Sequence, residues 1–415
     1  MKIVHFSWEF PPTIVGGLGT VAMELSSMQV KMGNEVVVFT LNKDNKLITT
    51  DNFKGVEVHR PMISDFSSTF FLFADDELRK WGEGFRFFAD VVTYNILSAS
   101  KLVNLLARKY GRTFDIIHAH DWLGIMAGIS AKKELGIPLI FHVHSTEKGR
   151  TMGRGSKIIE EMEYAGGEEA DCVITVSEAM RDELYSMGFS PRKIRVCWNG
   201  VDPEKYNPAR VGEEEKLMLR ELYGIKNDEK MILFIGRLVG VKGADNLVKS
   251  MPMVLEEFPK TKLVILGTGD MAEYIRLLIK SIGLQDEVIL REEFVSEDER
   301  IRHYAAADLV ALPSLYEPFG IVCTEAMAME KPVVVGARGT SGMREQVIPS
   351  GEEQCGIHIN PYDPNDIAWG IKEILGREDC GAWMGKNGRR RVLKYFRWDQ
   401  VAERILRIYK EVISR

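Results

Sequence analysis

The chain has 415 residues, 45% hydrophobic and 27% charged, with 60 Asp plus Glu against 54 Lys plus Arg for a formal charge of -6. This balance excludes a largely disordered chain. The length points to two or three domains, and the acidic excess argues against nucleic acid or an anionic membrane as the main partner. Five cysteines, Cys172, Cys197, Cys323, Cys355 and Cys380, are dispersed and form no CxxC pair. They suggest neither a disulfide framework nor a zinc site, and fit a reducing compartment. No stretch approaches the ~20 apolar residues that span a bilayer. The opening Met1-Lys2-Ile3-Val4 starts a strand and lacks a signal-peptide pattern, so a cytoplasmic location is expected.

Short apolar runs alternate with helix-length segments in the first half. The runs are Lys2–Ser7, Glu35–Thr40, Val56–His59, Asp115–His118, Pro138–His142, Cys172–Val176 and Ile194–Trp198, with helical patterns at Val21–Met32 and Leu97–Tyr110. Several runs are apolar throughout, as strands covered on both faces are. The pattern restarts with Met231–Gly236, Lys262–Leu266, Glu287–Leu290, Leu309–Pro313, Pro332–Gly336 and Gly356–Ile359. Helical segments at Asp245–Phe258, Met271–Ile282, Glu297–Ala306 and Ile367–Leu375 separate these runs. The expected architecture is α/β, with two doubly wound parallel sheets and a cleft between them. The seam is placed in Asn199–Tyr223, giving units 1–205 and 206–396, and a terminal helix Trp398–Val412 carries an apolar stripe that must pack somewhere. The aromatic residues of Leu78–Ala107, including Trp81, Phe85, Phe87 and Tyr94, are expected to face a core rather than a membrane.

Open α/β sheets bind ligands beyond the carboxyl ends of their strands. After the first run, Gly16, Gly17 and Gly19 precede a helix; they can cradle a phosphate or merely allow a turn. His118-Ala119-His120-Asp121 and His142-Val143-His144 close two further runs. Period two puts both rings of each pair on one side, which permits metal ligation, but no Glu or Cys completes a set. No metal is therefore assigned; His118 and His142 are read as structural, with His144 and Asp121 as cleft residues. Arg237 and Lys242 sit in a strand-end loop opening a helix, either as a solvated charge pair or as a grip on a diphosphate. The sharpest segment is Pro313-Ser314-Leu315-Tyr316-Glu317-Pro318-Phe319-Gly320-Ile321-Val322, leading to Glu325. A helix starting near Gly320 offers free N–H groups from Gly320, Ile321 and Val322 to a phosphate, and Glu325 suits a ribose cis-diol. The turn Gly339–Met343 either closes over a sugar or only turns the chain.

In order and spacing, the Gly-Gly-Leu loop, His-Ala-His-Asp-Trp, Val-His, Asn199-Gly200-Val201-Asp202, Gly236-Arg237, Lys242-Gly243 and Glu-x7-Glu resemble retaining glycosyltransferases of the GT-B fold. Within them the chain looks like the glycogen/starch synthase group. The resemblance implies two Rossmann-like domains, with residues 397–415 crossing back to the first. It implies glucose transfer from ADP- or UDP-glucose to a glucan or oligosaccharide, with no cofactor. Carried over, Arg237 and Lys242 stabilise the leaving diphosphate, Glu317 binds donor sugar hydroxyls, Glu325 the ribose and His144 the donor sugar, while Asp121 lines the acceptor side. The base is expected near Glu293–Val295. The synthase group usually has Lys-x-Gly-Gly in its first loop; this chain has Ile14-Val15-Gly16-Gly17. A related enzyme acting on a small sugar or a lipid is the alternative. Oligomeric state carries no signature in the chain.

Overall fold

The computed structural model describes residues 1–415. Strands β1 (Lys2–Phe6), β2 (Glu35–Phe39), β3 (Thr50–Phe53), β4 (Val56–His59), β5 (Ile116–His120), β6 (Leu139–Val143), β7 (Cys172–Thr175) and β8 (Ile194–Val196) form one sheet in the order β3-β4-β2-β1-β5-β6-β7-β8. Strands β9 (Lys230–Ile235), β10 (Thr261–Leu266), β11 (Val288–Arg291), β12 (Leu309–Leu312), β13 (Val333–Gly336) and β14 (Gly356–Ile359) form a second in the order β11-β10-β9-β12-β13-β14. Pairing is parallel except between β3 and β4. The doubly wound expectation holds in both halves.

The apolar runs become strands because both faces are covered. Val4 and Phe6 pack to one side of the first sheet with Leu102 and Phe141. Ile3 packs to the other with Val21, Leu25 and the terminal helix Trp398–Ile413. Each such side chain, removed from water, contributes about 1.5–3 kcal/mol before chain entropy is counted. In the terminal helix, Trp398, Ile405 and Tyr409 are buried in one cluster with Ile3, Val36 and Ile116 of the first sheet.

Several expectations need correction. Strand β5 runs to His120, not His118, because both histidines are buried within the sheet. The exposed antiparallel edge β3 was not expected. The helix foreseen at Leu97–Tyr110 starts at Glu83 and continues past Ser100 in wider π-type turns to Lys109. Of its aromatics, Phe85 and Tyr94 are buried, while Phe87 is exposed at the cleft rim. Within the expected seam, Glu213-Glu214-Glu215 form the first turn of helix Glu213–Leu222, where carboxylates face the positive end of the helix dipole. No helix is long and apolar enough to cross a membrane.

The halves touch through specific groups. The Tyr316 hydroxyl accepts from Thr146 N at 3.1 Å, and its ring lies where a Cβ on Gly149 would sit. Glu345 accepts from Glu178 N and Ala179 N at 2.9 and 2.8 Å and from Trp198 Nε1 at 3.0 Å.

Candidate active site

Both sheets reverse strand order beside β1/β5 and β9/β12. The loops after these strands face one another across a cavity of about 580 Å³. The second half contributes Arg237, Lys242, Glu317, Gly320 and Glu325, and the first half Gly16, Gly17, Asp121 and His144. Residues 121, 144, 237, 242 and 317, far apart in the chain, thus share one wall-to-wall space.

Lys242 is placed by its neighbour. Gly243 adopts φ +68, and a Cβ there would lie 2.2 Å from the carbonyl oxygen of Pro313. Only glycine permits both the left-handed conformation and that approach. The approach seats Lys242 against the Pro313–Gly320 loop, where its ammonium pairs with the Glu317 carboxylate. Ser314 donates to the same carboxylate at 3.3 Å. The Gly339–Met343 turn lies against this loop: Glu317 N donates to Thr340 O at 3.1 Å and Gly342 N to Glu317 O at 2.9 Å. Arg237 is exposed to the cavity and has no ion pair.

Gly320 precedes helix Ile321–Ala328 as expected, leaving its first N–H groups toward the cavity. Glu325 is 3% exposed. Its oxygens accept from the Tyr206 and Tyr304 hydroxyls, each at 2.8 Å, with Arg300 at 3.7 Å. The Glu325 charge holds the Arg300 guanidinium firmly protonated. Burial first, then the same carboxylate, push both tyrosine hydroxyls far up. A carboxylate has about four lone-pair sites, so two tyrosines leave room for a diol.

The glycine loop behaves differently from expectation. Val15 N and Gly16 N both donate to Glu9 Oε2 at 3.0 Å, so a carboxylate of the chain itself fills part of the supposed phosphate cradle. Gly17 opens the helix Gly17–Lys31 and abuts Ile321 across the cleft, 3.3 Å from where its Cβ would be. Asp121 takes φ 51, an uncommon conformation for a residue other than glycine. Its Oδ1 accepts from His144 N at 2.7 Å. His144 lines the wall, but both ring nitrogens turn inward: Nε2 meets His120 at 2.9 Å and Nδ1 is buried without a partner.

Residues missed in the sequence include Tyr206, Tyr304 and Arg300 around Glu325, and Glu147, Arg150 and Glu163 below the loop after β6. Arg150 bridges Glu147 and Glu163 at 3.1 and 3.5 Å. Glu163 is 1% exposed, and burial pushes its carboxyl up to about 8 despite Arg150. Phe294 lines the cavity at 77% exposure, within the segment expected near the base.

Two Rossmann-like parallel-sheet domains facing each other over such a cleft define the GT-B class of glycosyltransferases. Comparisons with known proteins agree. The Glycosyl transferases group 1 model matches residues 216–391 and the Glycosyltransferase Family 4 model residues 15–205. An uncharacterized glycosyltransferase of Methanocaldococcus jannaschii is 36% identical over 99% of this chain and 98% of its own. A glycogen synthase of Mycobacterium tuberculosis is 27% identical over 99% of this chain and 94% of its own. The solved sucrose-phosphate synthase from Thermosynechococcus elongatus superposes with a TM-score of 0.78 at 24% identity, covering 100% of this chain and 99% of that one. The chain belongs to the group 1 glycosyltransferases.

Proposed function

We propose that the protein is a retaining glycosyltransferase that moves glucose from ADP-glucose or UDP-glucose to an α-1,4-glucan. The observation carrying this reading is the convergence of Arg237, Lys242, Glu317, the Gly320 helix tip and Glu325 on one wall of the cleft. The diphosphate lies against Arg237, Lys242 and the N–H groups of Gly320, Ile321 and Val322, where positive charge meets developing negative charge. Glu317 takes the sugar hydroxyls, Glu325 the ribose diol, and the Phe294 ring offers a face to the base. Asp121 and His144 bound the sugar and acceptor side. In the reaction the bond from the anomeric carbon to the diphosphate oxygen breaks. The acceptor hydroxyl bonds to that carbon on the same face, and its proton passes to the leaving phosphate. No metal is assigned a role, since the two cations meet the phosphate charge.

The test is incorporation of labelled glucose from each donor into glycogen, maltose, glucose and lipid extract, with the new linkage read by NMR. Label in glycogen with α configuration is expected. The absence of the lysine before Gly16-Gly17 supports a second reading, with a small sugar or a lipid as acceptor. Label only in those acceptors would establish it and overturn the glucan reading. A β product would overturn retention.

A further inference from the structure

Five of the eight histidines, His5, His118, His120, His142 and His144, gather on one face of the first sheet. Strand register brings them together: His5 pairs with His118 across β1 and β5, and His120 with His142 across β5 and β6. Period two then points all five rings to the side covered by helices Gly17–Lys31 and Trp398–Ile413. His5, His118, His120 and His142 are at most 1% exposed.

The rings form two hydrogen-bonded arms that meet at Gln29, itself fully buried. In one arm, Gln29 Oε1 lies 2.8 Å from His5 Nε2, His5 Nδ1 lies 3.0 Å from His120 Nε2, and His120 Nδ1 lies 2.9 Å from His144 Nε2. In the other, Gln29 Nε2 lies 3.3 Å from the Tyr409 hydroxyl, which meets His118 Nδ1, and His118 Nε2 lies 3.0 Å from His142 Nδ1. The arms end at His142 Nε2 and His144 Nδ1, both buried and without partners, on rings 4.1 Å apart.

An imidazole in such a chain must be acceptor at one nitrogen and donor at the other. The amide of Gln29 therefore determines every ring. Its carbonyl can only accept, so His5 carries its proton on Nε2, as then do His120 and His144. Its amino group can only donate, so the Tyr409 hydroxyl passes its own proton toward His118, and His118 and His142 also carry theirs on Nε2. The ends then face as His142 N–H donor and His144 lone pair. A hydroxyl, donor and acceptor in one group, closes that gap. A metal ion does not, because one of the two end nitrogens always holds a proton. His120 and His144 lie with planes within 10° and centroids 5.2 Å apart, their rings joined nitrogen to nitrogen by a hydrogen bond of 2.9 Å.

We infer that Gln29, buried behind the cleft, is a positioning residue whose amide fixes the tautomer of His144 through His5 and His120, holding in one orientation the ring that lines the wall of the sugar site. The inference rests on His144 bounding the donor sugar as proposed above.

The test is long-range proton–nitrogen NMR on protein labelled with nitrogen-15 histidine, alongside steady-state kinetics. Five rings in the Nε2–H form are expected in the wild type. Gln29→Leu removes the anchor, so His144 loses its single form and kcat falls about 10- to 100-fold with donor KM unchanged. Gln29→Glu supplies a carboxylate that accepts from both sides. It keeps His5, His120 and His144 in the Nε2–H form with kcat close to wild type, and switches His118 and His142 to Nδ1–H. Mixed tautomers in the wild type, an unaltered His144 signal in Gln29→Leu, or stoichiometric zinc uptake by these rings would each overturn the inference. The NMR signature is independent of activity, so a protein that transfers no glucose yet shows these tautomers refutes the proposed function and leaves the relay standing.

Discussion

Replacing Arg237 by alanine separates charge stabilisation from folding. Arg237 is exposed, lines the cleft and makes no ion pair. Its truncation leaves no buried partner orphaned, so stability should stay within about 0.5 kcal/mol of wild type. Lys242 lacks that advantage, because removing it strands Glu317, a carboxylate whose side chain is 17% exposed. If the Arg237 guanidinium meets charge developing on the leaving diphosphate, its loss is comparable to losing one oxyanion donor, about 10²–10³ in kcat or about 2.7–4 kcal/mol. Donor KM should change far less than kcat, since the interaction strengthens only as the bond to phosphate breaks. The assay is nucleotide release against donor concentration, with the melting temperature measured in parallel. A kcat within threefold of wild type at unchanged stability would remove Arg237 from the reaction.

Gly243→Ala places a methyl 2.2 Å from the Pro313 carbonyl oxygen at φ +68. It should lower the melting temperature and also reduce turnover, because the Lys242 and Glu317 loops must separate; a fully active, fully stable variant contradicts that coupling. Glu163 bears on pH. Burial raises its carboxyl from 4.5 to about 8. The folded state therefore keeps a proton that the unfolded chain releases, and its contribution to stability is full below 4.5 and lost as pH rises through about 8. Melting temperatures between pH 7 and 9 should decline, and Glu163→Gln should flatten the decline; an identical slope in the variant excludes this source. The histidine cluster acts at the acid end. Burial lowers His5 from 6.5 to about 4 and drives His118, His120 and His142 well down. Their contribution is present above 6.5 and lost as pH falls toward 4, so the melting temperature should fall across that window; a melting temperature that stays level between pH 6.5 and 4 would contradict it.

The sheets were legible because their strands are buried on both faces and so read as unbroken apolar runs. The edge strand Thr50–Phe53, exposed and polar, carries no such signal. Helix Asp121–Leu135 escaped for the opposite reason: it packs against both sheet and helices, and its apolar residues follow no single stripe. His118 looked like a strand end because histidine reads as polar, yet its polarity is satisfied inside the sheet by Tyr409 and His142. Arg237, Lys242, Glu317 and Glu325 were singled out because Gly and Pro frame their segments, and the fold brings all four to one cavity. Tyr206, Tyr304 and Arg300 stood out in no local pattern, since nothing in the sequence around a tyrosine in a turn, or a tyrosine and an arginine on a helix, marks them as partners of a carboxylate on another helix. Glu9 reaching into the glycine loop, and Tyr316 and Glu345 joining the halves, depend on pairings between distant segments that one sequence does not display.

The most direct test is a crystal structure with bound ADP or UDP. The diphosphate should lie within hydrogen-bond distance of Arg237, Lys242 and the N–H groups at Gly320–Ile321, with the ribose on Glu325. A nucleotide seated outside the space between the two sheets, or one whose phosphates avoid both cations, would contradict the assignment of this cleft as the donor site.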